Sequence, residues 1–280
     1  MRARLSSIIG MVLCCTLMGV IGLMGGALAP AQPSASAAVA ITFPDTKGTL
    51  ELRGVLYRPD GPGPFPAVVA LHGCRGIRPR MHQWASTLHP WGSAVLLVDS
   101  FTLRGQTIIC NEGFRVDPQH ARMPDAYAAQ AYLARQPFVD PQRIGLMGWS
   151  HGGWTTLYAV DSIYLTGRHI TPFQAAIAFY PWCLPQLRQL NAPLLILIGE
   201  ADDWTPASRC QKMLRQTEQL GEQTVGRITL RVCPGAHHAF DSFTPPSPYY
   251  GQTVGRHPEA AMQAEVEVKR FLAQHLALKP

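Results

Sequence analysis

The stretch Gly145 to Leu157 reads GLMGWSHGGWTTL and sets Ser150 between Gly148 and Gly152, with His151 as its immediate neighbour. A serine hydroxyl is a weak nucleophile at its own pKa and becomes reactive beside a base that a third group orients. The G-x-S-x-G spacing suits the nucleophile of such a set, because glycines two residues before and two after leave room for a sharp turn. An apolar run, IGLM, precedes the motif and a small-residue helix start, GGWTTL, follows it. That strand-turn-helix order holds a serine on a strained corner; the alternative is a glycine-rich βα turn with Ser150 as a helix cap.

On such a corner adjacent side chains leave in different directions, so the useful part of His151 is its backbone N–H and the base must come from another strand end. The segment PGAHHAFD offers His237 and His238, and LLILIGEADDWTP brings Glu200, Asp202 and Asp203, with Asp241 a fourth carboxylate nearby. Spacing alone does not select among the four. The chain order serine, acid, histidine is that of an α/β-hydrolase. Acyl chemistry also needs two N–H donors for the developing oxyanion, each worth about 3 kcal/mol. The residue after the serine, His151, is one candidate; the other is Cys74 in LHGCRG, where Gly73 lets the backbone turn. No nucleophile corner surrounds Cys74, which makes its thiol structural rather than reactive.

The elements that must position these residues follow from hydrophobic patterning. Extended runs near Ile41 and from Leu50 to Tyr57 lead into RPDGPGPFP, and the β-branched, apolar runs of PAVVALHG, AVLLVDS, IGLMG, AAIAFYP, APLLILIGE and RITLRVCPG read as buried strands. Between them lie helical patches at Met81–Leu88 and Pro124–Gln136, after Gly152, and from Pro206 to Leu220, with a last one after Pro258. Apolar strands without polar alternation, separated by helices, predict an α/β fold with a mostly parallel central sheet and helices on both faces. In such sheets function gathers at the carboxyl ends of the strands.

A chain of 280 residues, 47% hydrophobic and 15% charged, suits one globular domain, assigned to residues 41–280. Residues 1–40 read as a signal peptide: Arg2 and Arg4 precede an uncharged apolar run from Leu5 to Leu28, and APAQPSASAAVA follows with Ala35-Ser36-Ala37 and Ala38-Val39-Ala40 as cleavage signals. An uncleaved N-terminal membrane anchor through residues 5–28 is the alternative. Cleavage leaves a secreted or periplasmic protein with no membrane contact. The net charge of +6 is dispersed, without the basic block of a nucleic-acid binder, so nucleic acid is not an expected partner. Cys14 and Cys15 lie in the leader, leaving five of the seven cysteines, and none stands at zinc-ligand spacing.

Taken together, LHGCRG, GWSHGG, GEADDWTP and HAF resemble the dienelactone hydrolase family of α/β-hydrolases over nearly all of the chain beyond the leader. In that broad group the acid stands three residues after a strand-end glycine and four before a proline. The resemblance thus points to Asp202, between Gly199 and Pro206, with Asp203 as runner-up. It also selects His238, which precedes a small residue and a phenylalanine, over His237. The name-giving members carry cysteine in the corner where this chain has serine. Serine suits a wider range of carboxylic esters, including those of secreted polyesterases whose corner reads G-W-S-x-G-G. Cys183 and Cys210, both beyond the ends of adjacent predicted strands, form the expected disulfide, bracing the Asp202 loop, with Cys74–Cys110 a second pairing.

These readings predict a secreted serine hydrolase of esters or lactones, acting through Ser150, His238 and Asp202 without metal or organic cofactor. Arg75 and Arg104 are candidates for meeting an anionic substrate, and Trp149, Trp154 and Trp204 for lining an acyl or aromatic pocket. A polyesterase or acyltransferase with the same triad is the alternative enzyme, and a binding protein on a hydrolase scaffold the alternative outside catalysis. The sequence carries no signal for oligomeric state.

Overall fold

The computed structural model describes residues 38–111, 115–167, 170–221 and 227–278. The apolar run from Leu5 to Leu28, and with it the signal or anchor expected there, lies outside the described residues. Among the described residues no helix is long and apolar enough to cross a membrane.

Eight strands form one sheet in the order β1-β2-β4-β3-β5-β6-β7-β8. They are β1 (Ala38–Pro44), β2 (Glu51–Tyr57), β3 (Phe65–Leu71), β4 (Ala94–Asp99), β5 (Val139–Trp149), β6 (Ala176–Phe179), β7 (Leu194–Gly199) and β8 (Ile228–Cys233). The two pairings of β2, with β1 and with β4, are antiparallel. From β4 to β8 every pairing is parallel. All six residues of β7 are buried, as are Ile144 to Trp149 of β5. Successive strand residues point to opposite faces, so both faces of the sheet are covered.

The covering helices are α1 (Pro79–Leu88), α2 (Met123–Ala134), α3 (His151–Val160), α4 (Ala207–Glu218) and α5 (Pro258–Leu276). Proline stands in the first turn of α1 and α5, where its missing N–H costs nothing. A turn of π-helix, Pro118–Arg122, leads into α2 and is capped by Asp117, whose carboxylate accepts the N–H groups of Gln119 and His120. Sequence patterning starts this helix only at Pro124. A small hairpin, β9 (Ser247–Tyr249) with β10 (Gln252–Val254), was not expected from the sequence either. Its short strands fall in a proline- and glycine-rich stretch without apolar alternation.

Both expected disulfides are present, Cys74–Cys110 and Cys183–Cys210. Cys233 is a buried free thiol, pushed up to about 11 by burial and the charge of Glu267, which makes it a packing residue.

Candidate active site

Ser150 sits between the end of β5 and the start of α3 with φ +54°, a left-handed value that costs a non-glycine residue energy. Close packing holds the corner. A Cβ on Gly148 would stand 2.2 Å from the carbonyl oxygen of Gly152, and one on Gly152 would stand 2.2 Å from that of Leu71. Those contacts explain both glycines of the motif. The Ser150 N–H donates to the Phe179 carbonyl at 2.9 Å, tying the corner to β6.

His238 follows β8, and its Nε2 lies 3.0 Å from Ser150 Oγ across 88 residues of sequence. Its Nδ1 lies 2.8 Å from Oδ2 of Asp202, which follows β7. Both His238 and Asp202 are buried. The Asp202 carboxylate is held by the N–H groups of Trp204 and Thr205 at 3.0 and 2.8 Å and by the Thr205 hydroxyl at 2.9 Å. That hydroxyl also lies 3.1 Å from the Tyr180 carbonyl and from His238 Nδ1. Thr205 is a site residue the sequence reading missed, although the Asp-x-x-Thr spacing of a turn was visible. The ring of Tyr180 meets the His238 imidazole edge-on at 4.7 Å, and Trp204 covers it at 5.3 Å.

The other nominated acids and bases have different partners. Asp203 accepts the Thr253 N–H at 3.0 Å and fastens β10 beside the site. Glu200 accepts the Gly235 N–H, and His237 bonds to the Ala201 carbonyl through Nδ1. Asp241 is buried and accepts from the indoles of Trp84 and Trp149 and from the Tyr180 hydroxyl, with Arg80 at 3.7 Å.

Of the nominated substrate residues, Arg75 and Trp204 line the cleft at Ser150. Trp149 does not: it is 1% exposed, stacked on Phe179 and bonded to Asp241, because strand alternation turns it into the core. Arg104 is also corrected, since Asp125 takes its guanidinium in a two-bond pair at 2.8 Å and Ser100 accepts from it as well. Trp154 and the unforeseen Trp182 line a second hollow beside Ser150.

Gly73 brings the loop after β3 against the corner; a Cβ there would stand 3.5 Å from that of Ser150. Cys74 follows, and its disulfide to Cys110 together with the Ile109 N–H bond to its carbonyl fixes the loop. Beneath lies Arg122, fully buried and unnoticed in the sequence, which donates to the His72 carbonyl at 2.7 Å and lies 2.8 Å from Nδ1 of His151. Burial lowers it to about 9, so it remains a cation at neutral pH. His72 is driven down to about 3 by burial and by the Arg122 charge, and is therefore neutral. Among the described residues no group of three or more His, Cys, Asp or Glu side chains is placed to hold a metal ion.

The model of the dienelactone hydrolase family matches residues 52–276. The chain belongs to the dienelactone hydrolase family. An uncharacterized protein of Mycobacterium tuberculosis is 25% identical over 191 residues, 61% of this chain; the match spans 64% of that relative, under two thirds of its length. A probable 2-oxo-3-(5-oxofuran-2-ylidene)propanoate lactonase of Bradyrhizobium is 26% identical over 66% of this chain and 77% of its own. Among solved structures, a dienelactone hydrolase from Anabaena variabilis aligns with TM-score 0.63 at 21% identity, covering 86% of this chain and 99% of that one. A Thermogutta terrifontis esterase aligns with TM-score 0.63 at 18% identity, over 87% and 94%. The fold is thus that of the α/β-hydrolases.

Proposed function

We propose that this dienelactone hydrolase family member is an exported serine hydrolase of carboxylic esters or lactones. The observation that carries the reading is the continuous chain from Ser150 Oγ through His238 to Asp202. His238 Nε2 takes the serine proton as Oγ attacks the carbonyl carbon, and Asp202 holds the imidazole by its Nδ1–H and stabilises its charge. The backbone N–H groups of Cys74 and His151 receive the oxyanion. The intermediate collapses, the C–O bond to the alcohol breaks, and His238 returns the proton to the leaving oxygen. Water, activated by the same histidine, then releases the acid from Ser150. The lactonase and esterase named among the similar proteins support this substrate class.

Two disulfides fit an oxidising compartment, which supports export. Of the two cleavage signals, processing after Ala37 leaves β1 whole, whereas processing after Ala40 removes the pairs Ala38–Tyr57, Val39–Leu56 and Ala40–Val55. The former is the site we assign, and the N-terminal sequence of the exported protein tests it. For the chemistry, a fluorophosphonate probe should label Ser150 in the folded protein and abolish hydrolysis of p-nitrophenyl acetate. An active protein whose Ser150 stays unlabelled would overturn the assignment.

A further inference from the structure

Two hollows meet at Ser150, sharing Cys74 and Trp204, and they differ in their relation to the proton. The larger, about 380 Å³, has His238 in its wall together with Ala239, Phe243, Tyr249 and Val254. The smaller, about 200 Å³, is lined by His151, Trp154, Trp182 and Trp204 and bounded by Cys74 and Cys110, and His238 is not part of its wall.

The leaving oxygen of an ester must receive its proton from Nε2 of His238, so the alcohol half lies on the side of Ser150 that the histidine borders. The acyl half, its carbonyl oxygen turned to the N–H groups of His151 and Cys74, is left the other side. We infer that the smaller hollow is the acyl pocket and that it selects flat aromatic acyl groups, making esters of aromatic carboxylic acids the preferred substrates. The inference rests on the reading of Ser150, His238 and Asp202 as a working triad.

The aromatic walls are held rather than loose. Trp182 is 37% exposed, yet the guanidinium of Arg209 covers one face at 3.8 Å. The residue after it, Cys183, is bonded to Cys210 on α4, the helix that also carries Arg209. Trp154 stands 6.5 Å from Trp182 and 5.7 Å from the His151 ring. On the other wall, Trp204 is packed between His238 at 5.3 Å and Tyr249 at 5.8 Å. Rigid indoles facing water gain most from covering by another flat ring, which meets their faces and edges at little entropic cost. The volume disfavours long acyl chains, which the larger hollow would hold more easily.

The test is a comparison of kcat/KM for p-nitrophenyl benzoate and p-nitrophenyl acetate, which share a leaving group, in the wild type, Trp182→Ala and Phe243→Ala. Both substituted residues are exposed, at 37% and 53%, so the variants should fold, as thermal melts will check. The benzoate-to-acetate ratio should fall about tenfold in Trp182→Ala, the loss expected of one aromatic pocket wall. In Phe243→Ala the ratio should stay within about twofold of wild type. An unchanged ratio in Trp182→Ala, or a fall in Phe243→Ala instead, would overturn the assignment of the pockets in an active, fluorophosphonate-labelled enzyme. A wild type that neither hydrolyses p-nitrophenyl acetate nor labels at Ser150 would overturn the triad reading, and this inference with it.

Discussion

Nη1 of Arg122 lies 2.8 Å from Nδ1 of His151, the histidine beside the corner serine. A guanidinium only donates, so this nitrogen of His151 is an acceptor and carries no proton. The other arm of Arg122 donates to the carbonyl of His72, two residues before Cys74. One buried cation, lying over the Phe101 ring at 5.1 Å, therefore ties together the two backbone segments that carry the proposed oxyanion donors.

Replacing Arg122 by methionine keeps the bulk and removes both bonds. Each buried acceptor left without its donor costs about 1–3 kcal/mol. The expected result, measured on p-nitrophenyl acetate, is a kcat about tenfold lower or worse with KM within about threefold, because the donors act mainly in the transition state. Arg122→Lys should recover part of the loss. A wild-type kcat in Arg122→Met would mean that the donors are set without this residue.

The same geometry separates the two histidines near Ser150. His238→Ala removes the group 3.0 Å from the serine oxygen and should lower kcat at least about a thousandfold. His151→Ala keeps the backbone N–H and should cost at most about tenfold. The reverse order of effects in steady-state kinetics would exchange their roles.

Thr205→Val preserves shape and deletes the hydroxyl that lies 2.9 Å from Asp202 Oδ2. A hydrogen bond to a charged group contributes about 1.5–3 kcal/mol, so kcat/KM should drop about tenfold while the two backbone bonds still hold the carboxylate. Activity equal to wild type would reduce Thr205 to a packing residue.

His72 makes stability depend on pH. Its folded pKa of about 3 lies below the ordinary 6.5, so between those values the unfolded chain binds a proton that the folded chain does not. Stability present above the unfolded value is therefore lost as pH falls through this window, by up to about 1.4 kcal/mol per unit. Asp125, raised by burial, acts in the opposite sense, which makes a comparison of variants the informative one. In urea titrations at pH 6.5 and 4.5, His72→Gln should lose about 2 kcal/mol less than wild type over this interval. Equal losses would show that His72 does not titrate differently in the two states.

The corner at Ser150 was legible because its requirements are local: Gly148 and Gly152 are glycines since backbone occupies the places of their Cβ atoms. The proposed acid was harder. Residue spacing alone left Glu200, Asp202, Asp203 and Asp241 equal, and family likeness was needed to prefer Asp202. The structure separates them by partner: only Asp202 meets His238, while Asp203 holds Thr253, Glu200 holds Gly235, and Asp241 gathers two indoles and a phenol. Arg122 escaped notice because a π turn sets it, and its partners His72 and His151 stand 50 and 29 residues away.

The sequence by itself determined the alternation of apolar strands and helices and the strand-turn-helix corner at Ser150. Each is written in side-chain size and spacing among near neighbours. Only the tertiary structure decided that Arg104 is taken by Asp125, that Trp149 is core, and that Trp182 and Trp154 share a hollow with Ser150. Those outcomes depend on which strand ends the parallel crossovers bring side by side, and on which buried charge finds its partner there. No spacing within a single segment encodes them.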